Sequence, residues 1–141
     1  MKFKLVTLSG ELINTDVYEV VLPTTEGEIS VFPDHEPLVT VAKEGVVAIR
    51  YEKGQSDDAL DYFAIGGGVV EINGKSVKIL VEEADVAEDI VEAEAQAALD
   101  RAKEMRETAA DQVELEKASQ LIDRHAVRLK VADLHRRKRR R

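Results

Sequence analysis

The amino-acid sequence predicts an all-β N-terminal antiparallel β-sandwich followed by a C-terminal antiparallel α-helical hairpin. Up to about residue 84, short runs rich in Val, Ile and Gly alternate with turn residues, which is typical of a sandwich or barrel. Beyond that point the chain has no Gly and no Pro, and Ala, Glu, Leu, Arg and Lys predominate, as in helices. We therefore divide the 141 residues into a β-sandwich over 1–85 and a helical hairpin with a basic tail over 86–141.

The N-terminal part predicts seven to ten short strands. Proline cannot donate to a ladder hydrogen bond, so we expect Pro23 to end the second run and Pro33 the third. Asn73-Gly74 predicts a tight hairpin turn. Gly66–Gly68 lacks the lysine and the following helix of a phosphate-binding loop, so it predicts a β-bulge or a close backbone approach. The predicted runs are Lys2–Leu8, Leu12–Leu22, Glu28–Phe32, Leu38–Val41, Val46–Tyr51, Ala59–Ile65, Val69–Ile72 and Ser76–Val81.

The C-terminal part predicts two helices, Ile90–Arg106 and Gln112–His135. Two acidic pairs have the spacing of N-terminal capping boxes, Asp89 with Glu92 and Asp111 with Glu114. The second helix carries a narrow apolar seam at alternating steps of three and four residues, made of Leu115, Ala118, Ile122, His125, Leu129 and Ala132. A hairpin with so narrow a stripe is marginal alone, so we expect it to lean on the sandwich or on a partner.

Charge is distributed unevenly along the chain. The net charge is −8, but the last six residues, Arg136–Arg141, are all basic. Removing those six from the 20 Lys and Arg leaves 14 against 28 Asp and Glu, a net charge of −14 for residues 1–135. The absence of cysteine excludes a disulfide framework, a thiol nucleophile and a Cys-type zinc site. No signal peptide and no membrane-spanning apolar run is evident, so membrane association is expected to go through a partner.

The segment Gly27–Thr40 is the most distinctive turn, because it holds two of the three prolines and, between them, Asp34, His35 and Glu36. This triplet could ligate a metal or move a proton. A metal site would need further ligands, and the other two histidines lie in the helical part. Acid–base catalysis would need a positioned partner and a pocket. We therefore favour a structural or contact loop, with His35 hydrogen-bonded locally.

The basic tail Arg136–Arg141 has three interpretations. It could bind nucleic acid, although it lacks aromatic stacking partners and follows an acidic body. It could be a solvated helix end, where cations suit the helix dipole. It could also dock on an acidic protein surface. The last two interpretations are favoured over the first.

Several segments resemble the epsilon subunit of F-type ATP synthases, over the full length of the chain. Glu26–Ile29 followed by Phe32–Thr40 resembles that family's EGE-x-G-x-x-PGHAPLLT signature, with Asp34 in place of a usual glycine. Phe63–Ile72, FAIGGGVVEI, resembles its SGG-x-x-EV strand pair. Val77–Ala84, VKILVEEA, resembles the strand that leads into the helices.

The resemblance implies a non-catalytic central-stalk subunit of a proton-translocating F-type ATP synthase, with a sandwich that binds the gamma subunit and the c-ring. It implies a peripheral place on the cytoplasmic side of the cell membrane, with membrane contact only through the complex and no nucleic-acid partner. The rival hypothesis is a free-standing binding module whose tail docks on nucleic acid or an acidic partner. The implied interface residues are Glu28, Phe32, Pro33, Asp34, His35 and Leu38.

The resemblance also implies that the hairpin either folds on the sandwich or extends toward the alpha and beta subunits and inhibits ATP hydrolysis. The implied regulatory residues are Arg124, Arg128, Arg136, Arg137, Lys138 and Arg139.

Some members of that family bind ATP through an [IL]-D-x-x-R-A motif and two arginines of the second helix. The motif falls on Ile90–Ala95, where Val91 occupies the acidic position and Glu94 the arginine position. Arg124 and Arg128 match the two helix arginines. A carboxylate where a phosphate should meet a cation is unfavourable. Nucleotide binding at Ile90, Arg124 and Arg128 is therefore expected to be weak or absent, and neither a cofactor nor a metal is expected.

Overall fold

The computed structural model describes residues 1–139, and their β part is a ten-stranded sheet folded over into a sandwich. The strand order is β10-β7-β6-β3-β5-β8-β9-β1-β2, with β4 also paired to β3. The sheet folds over at the β3–β5 joint, where Thr24 pairs with Ala42. The strands are β1 (Lys2–Thr7), β2 (Gly10–Asp16), β3 (Glu19–Thr24), β4 (Gly27–Val31), β5 (Leu38–Ala42), β6 (Gly45–Arg50), β7 (Asp61–Ile65), β8 (Gly68–Asn73), β9 (Ser76–Val81) and β10 (Ala84–Val86). The predicted sandwich is confirmed.

One apolar core fills the space between the two layers. Alternate residues of the strands point inward, as the period of two requires. The ring of Phe3 on β1 meets that of Phe63 on β7 with centroids 6.3 Å apart, so the two layers are in direct contact. Burying each large side chain contributes about 1.5–3 kcal/mol. The largest fully buried side chains of this core are Phe3, Leu5, Leu22, Ile49 and Ile79.

Strand β1 departs from the predicted antiparallel pattern. It pairs with β9 in parallel, from Lys2 opposite Ser76 to Val6 opposite Leu80, and with β2 in antiparallel register on its other side. The other pairings of the described strands are antiparallel. The first strand of the chain therefore lies inside the sheet, next to one of the last.

The predicted run Leu12–Leu22 is wrong as a single strand. The chain changes layers at Val17-Tyr18, where Val17 N bonds to Met1 O (2.8 Å) and Tyr18 N to Arg50 O (2.8 Å). The expectation that Pro23 ends the strand is also wrong. Pro23 lies within β3, opposite Glu28 of β4, beyond the three residues that pair with β6. At that point β6 no longer flanks β3, which is the kind of edge position that tolerates proline. The short strand β10 was not predicted.

The glycine predictions are confirmed with one shift in register. The β8–β9 hairpin turns at Gly74-Lys75 instead of Asn73-Gly74, because Asn73 Oδ1 accepts hydrogen bonds from Lys75 N (2.8 Å) and Ser76 N (2.9 Å). Gly68 makes the predicted close backbone approach, since a Cβ at this position would collide with the carbonyl group of Leu80.

The two helices form an antiparallel hairpin, as predicted, but the first begins two residues later. Helices α1 (Glu92–Glu107) and α2 (Gln112–Arg139) pack on each other. The Asp89 capping box is wrong: the chain forms a short 3-10 turn over Ala87–Asp89, buries Ile90 in extended conformation and enters α1 without a side-chain cap. The second box is confirmed, because Asp111 Oδ1 accepts from Glu114 N at 2.8 Å.

Helix α2 extends four residues beyond the predicted end and carries two buried faces. Ala118 and Ala132 of the predicted seam are buried, whereas Leu115 at its start is 36% exposed. Val131, outside the seam, is fully buried in the cluster that faces the sandwich. The side chain of Arg139 and the whole of residues 140–141 lie outside the described part of the structure.

We predict that Gly68→Ala lowers the free energy of unfolding by about 3 kcal/mol or more, because the added methyl must displace the backbone of β9. The matched control is Gly67→Ala, where the nearest atom, Ala42 O, would be 3.5 Å from the new Cβ, an ordinary contact. Urea unfolding of both variants measures the difference. Equal stability of the two variants would contradict the close approach.

Candidate functional site

One end of the sandwich, which we call the rim, brings together the N-terminus and three connections. These are the β2–β3 junction at Val17-Tyr18, the Phe32–Pro37 loop and the β8–β9 turn. The Phe32–Pro37 loop is tied to the β8–β9 turn by a hydrogen bond from Asp34 N to Gly74 O (2.9 Å). The N-terminal ammonium of Met1 donates to Val17 O (3.1 Å), and Lys2 N donates to Lys75 O (2.9 Å). Backbone hydrogen bonds thus hold the rim together.

The rim brings together most of the predicted interface residues. Phe32 is 42% exposed and its ring meets that of Tyr18 edge-on, with centroids 5.5 Å apart. Pro33 and Asp34 are exposed beside it, and His35 is partly buried. Leu38, 40% exposed, follows at the start of β5. An aromatic ring held by a neighbour and still exposed is suited to contact with another protein.

His35 is hydrogen-bonded locally, as predicted. Its Nδ1 lies 2.6 Å from Glu36 O, so an Nδ1–H would donate to this carbonyl, and its backbone N donates to Phe32 O at 3.2 Å. Among the described residues, no group of three or more His, Asp or Glu side chains is placed to hold a metal ion. The imidazole therefore stabilises the turn in this structure.

Glu28 lies apart from the other predicted interface residues. It sits opposite Pro23 near the β3–β4 turn, which Thr24 closes by donating from Oγ1 to Gly27 O (2.6 Å). Phe32 follows the opposite end of β4, about 14 Å away at roughly 3.4 Å per residue. Any partner that contacts both Glu28 and the rim must therefore span the length of this strand.

Sequence reasoning missed an apolar patch on the outer face of β5 and β8. Val39 and Val41 are 71% and 52% exposed, and Val69, which pairs with Val41, is 40% exposed. We call these three residues the outer patch. The available signal was the segment Leu38–Ala42, LVTVA, in which apolar residues occupy both faces of a strand. Such a pattern indicates a strand that is covered on both sides.

The hairpin is folded against the sandwich. Its apolar contact is a cluster beside β7, separate from the main core, against which the partly buried Val46, Tyr62, Val127 and Leu129 pack. The buried members are Ala64, Ala87, Ile90, Ala95, Val131 and Ala132. Four of these six residues are alanines, which bury little apolar area each. Packing alone therefore gives a weak hold, and charged contacts add to it.

Two of the predicted regulatory arginines are paired with carboxylates of the sandwich. Arg124 Nη1 lies 2.5 Å from Glu83 Oε2, and Arg128 Nε lies 3.1 Å from Asp85 Oδ2. Between these two arginines in sequence, His125 has a buried Nδ1 with no hydrogen-bond partner among the described residues. Burial lowers the pKa of His125, and the neighbouring arginines lower it further.

The described cations of the tail also pair within the chain. Arg136 Nη1 lies 2.7 Å from Glu92 Oε2, and Arg136 also pairs with Asp133. Arg137 Nη2 lies 3.0 Å from Asp133 Oδ2. Lys138 pairs with Asp61 at the start of β7. In this conformation, these three residues are neither a free arm nor a purely solvated helix end.

The three residues that the resemblance assigns to a nucleotide, Ile90, Arg124 and Arg128, make contacts within the chain in this structure. Ile90 is 8% exposed in the apolar cluster. Arg124 and Arg128 are paired with Glu83 and Asp85, respectively. A cleft of about 440 Å³ opens beside Arg124, with Lys117 as its other cation. Burial raises the pKa of Glu44 in this cleft, and nearby Asp123 adds to the rise. The carboxylates that line the cleft are Glu44, Glu82, Glu83 and Asp123.

The fold defines a class of small two-part proteins, in which a β-sandwich carries a docked helical hairpin. Residues 1–87 match the family described as ATP synthase, Delta/Epsilon chain, beta-sandwich domain. The ATP synthase epsilon chains of Staphylococcus aureus strains JH9 and MW2 are each 33% identical over 135 residues, which cover 95% of this chain and 97% of theirs. The chain belongs to the ATP synthase delta/epsilon family.

Solved structures agree with this fold. A chain of the Euglena gracilis mitochondrial ATP synthase (OSCP/F1/c-ring) matches with a TM-score of 0.77 and 24% identity, covering 94% of this chain and 80% of that one. A chain of the Tetrahymena thermophila mitochondrial ATP synthase (central stalk/c-ring) matches with a TM-score of 0.59 and 16% identity, covering 94% and 96%. At these identities the likeness supports the fold alone.

Asp34 has a backbone φ of 68°, in the left-handed region, at the position where the family signature has glycine. Because a side chain is strained there, we predict that Asp34→Gly is more stable than Asp34→Ala by about 1–2 kcal/mol. Thermal unfolding of the two variants measures the difference. If alanine proved as stable as glycine, the left-handed turn would be refuted.

Proposed function

We propose that this protein is a non-catalytic central-stalk subunit of a proton-translocating F-type ATP synthase, coupling the catalytic head to the c-ring. The observation that carries the proposal is the match to ATP synthase epsilon chains across both the sandwich and the hairpin. A β-sandwich with loops tied by backbone hydrogen bonds suits a part that transmits torque, since it resists deformation.

The two exposed surfaces of the sandwich suit two partners. The rim, with Phe32, Pro33 and His35, is proposed to face the c-ring. The outer patch of Val39, Val41 and Val69 is proposed to bind the gamma subunit, because an apolar patch of this kind on a well-folded sheet marks a protein contact. Glu28, at the far end of β4, would extend one of these contacts along the strand.

The hairpin is the proposed regulatory part. Released from the sandwich, α2 would present Arg124, Arg128 and Arg136–Lys138 to acidic surfaces of the alpha and beta subunits and inhibit ATP hydrolysis. Support comes from the small apolar cluster that holds the hairpin, because a weak hold allows two states to differ by only a few kcal/mol.

The proposed location is peripheral, at the cytoplasmic side of the cell membrane, with membrane contact through the complex. Within residues 1–139 no helix is both long and apolar enough to cross a bilayer.

We expect the double substitution Val39→Glu, Val41→Glu to reduce recovery of the gamma subunit at least tenfold when the tagged protein is purified from cells expressing the whole complex. A charge placed in an apolar interface costs more than the about 1.4 kcal/mol that a factor of ten requires. The sandwich should still fold, because both side chains are more than half exposed.

Leu8→Glu is the control, since Leu8 is 85% exposed at the β1–β2 turn and β1 is two strands from β8 in the sheet order. Undiminished recovery of gamma by the double variant would refute the assignment of this patch. Failure of the unsubstituted protein to recover any ATP synthase subunit would refute the proposed function itself.

Nucleotide binding is proposed to be weak or absent, because carboxylates outnumber cations in the cleft beside Arg124. Calorimetric titration of ATP into the isolated protein should give no dissociation constant tighter than about 1 mM, which corresponds to a binding free energy of about −4 kcal/mol. Replacing Glu83 with Gln should strengthen any residual signal by freeing Arg124. Micromolar affinity of the unsubstituted protein would contradict this proposal.

A further inference from the structure

We propose that the cationic end of α2 is a latch that holds the hairpin in its folded state, with Lys138 paired to Asp61 of the sandwich, whose carboxylate Tyr51 holds in place. The regulatory use of this latch rests on the proposed function above, but its existence does not. The inference assigns the end of α2 a role on the folded side of the equilibrium, before any partner is met.

Two residues of the sandwich, Asp61 and Tyr51, form the seat of Lys138. Asp61 opens β7, and its Oδ2 accepts a hydrogen bond from Tyr51 Oη at 2.6 Å. Its other oxygen, Oδ1, accepts from Lys138 Nζ. The side chains of Lys138 and Asp61 are only 29% and 31% exposed, so water screens this pair less than a fully exposed one. Tyr51 fixes the carboxylate, so less freedom is lost when the lysine binds.

The pair of Lys138 with Asp61 is one of a row of ion pairs between α2 and the sandwich that all have the same orientation of charge. In the three ion pairs that the described residues form between α2 and the sandwich, the cation is on α2 and the carboxylate on the sandwich. The partners, in order along α2, are Arg124 with Glu83, Arg128 with Asp85 and Lys138 with Asp61. These ion pairs place cations of α2 against an acidic strip of the sandwich.

These ion pairs matter for the stability of the folded hairpin, because few large apolar side chains are fully buried in the interface. Four of the six buried residues of the cluster between hairpin and sandwich are alanines, and Val46, Tyr62, Val127 and Leu129, which pack against it, are only partly buried. Lys138 lies at the end of the row that is farthest from the α1–α2 turn. Loss of its ion pair would let this end of α2 separate from the sandwich. Because the same cations would meet acidic partner surfaces, the folded state and a partner-bound state compete for one set of charges.

The latch should respond to salt, and the carboxylate of Asp61 should stay ionised near neutral pH. Burial would raise the pKa of Asp61, but hydrogen bonds from Lys138 and Tyr51, with the nearby charges of Lys138 and His135, hold it below the usual value. A carboxyl group with a lowered pKa stabilises the folded state above its ordinary pKa and loses this effect as pH falls through the folded value. Loss of the Asp61 charge, and with it of the pair with Lys138, is therefore expected in acid, below about pH 4.

The test uses the full chain, which has no native cysteine, so that two introduced cysteines can carry spin labels. Exposed positions Ser30 on β4 and Ala126 on α2 are suitable. Distances are measured at about 0.15 M salt and at about 1 M salt, where the screening length falls to about 3 Å. The variants are Asp61→Asn and Lys138→Gln, and the control is Lys130→Gln, which removes an exposed lysine of the same helix.

At the lower salt concentration, Asp61→Asn and Lys138→Gln should enlarge the long-distance population at least threefold, and Lys130→Gln should leave it unchanged. The exchange variant Asp61→Lys with Lys138→Asp should restore much of the short-distance population, which a merely misfolded β7 would not allow. High salt should bring the unsubstituted protein toward the two latch variants. Identical distributions for the unsubstituted protein, Asp61→Asn and Lys138→Gln would overturn the latch.

A second measurement separates the latch from its use. In the assembled ATP synthase, Asp61→Asn should lower ATP hydrolysis at least twofold, because a released hairpin is inhibitory in the proposed function. An altered distance distribution with unaltered hydrolysis would leave the latch standing and overturn the regulatory role of the hairpin.

Discussion

The closure of one apolar core by a single folded-over sheet is the constraint on which the rest of this protein depends. Phe3 and Phe63 come from opposite layers and meet in that core, and the period of two along each strand then decides what is left outside. Residues that remain apolar on the outer face, such as Val39 and Val41, are not needed by the core. In the proposed function, Val39 and Val41 are covered by a partner.

The hairpin depends on this core only indirectly, through the outer surface of β7 and the acidic residues around it. Ala64 supplies a small apolar contact, and Asp61 and Asp85 supply charge. Interfaces rich in alanine and ion pairs are easier to open than a hydrophobic core, because each apolar contact is small and each exposed charge can be rehydrated. The chain thus combines a firm body with a loosely held appendage, and both properties can be traced to residue types.

Local chemistry made much of this fold predictable, and non-local pairing made the rest unpredictable. The change of composition near residue 84 and the Asp111 capping box depend on short-range physics, and both identified the correct structure. The parallel pairing of β1 with β9 and the break at Val17 depend on which strands meet in space. The Asp89 box failed because burial of Ile90 outweighed a local cap. Of the candidate site, the segment Phe32–Leu38 was selected from the sequence and its interface role stays a prediction, whereas Val69 and the pairing of Lys138 with Asp61 required the tertiary structure.

The position of β1 inside the sheet has a consequence for how the chain reaches this structure. As synthesis proceeds, Lys2–Thr7 can pair with β2 at once but must wait for Ser76–Val81 before its second edge is covered. Contacts between such distant segments slow folding, because the entropy of closing a long loop is lost before the strand pairing can contribute favourable free energy. The sandwich therefore cannot be completed before Ser76–Val81 has been made. The hairpin follows these strands in the chain, so every strand of the surface on which it docks is synthesised before it.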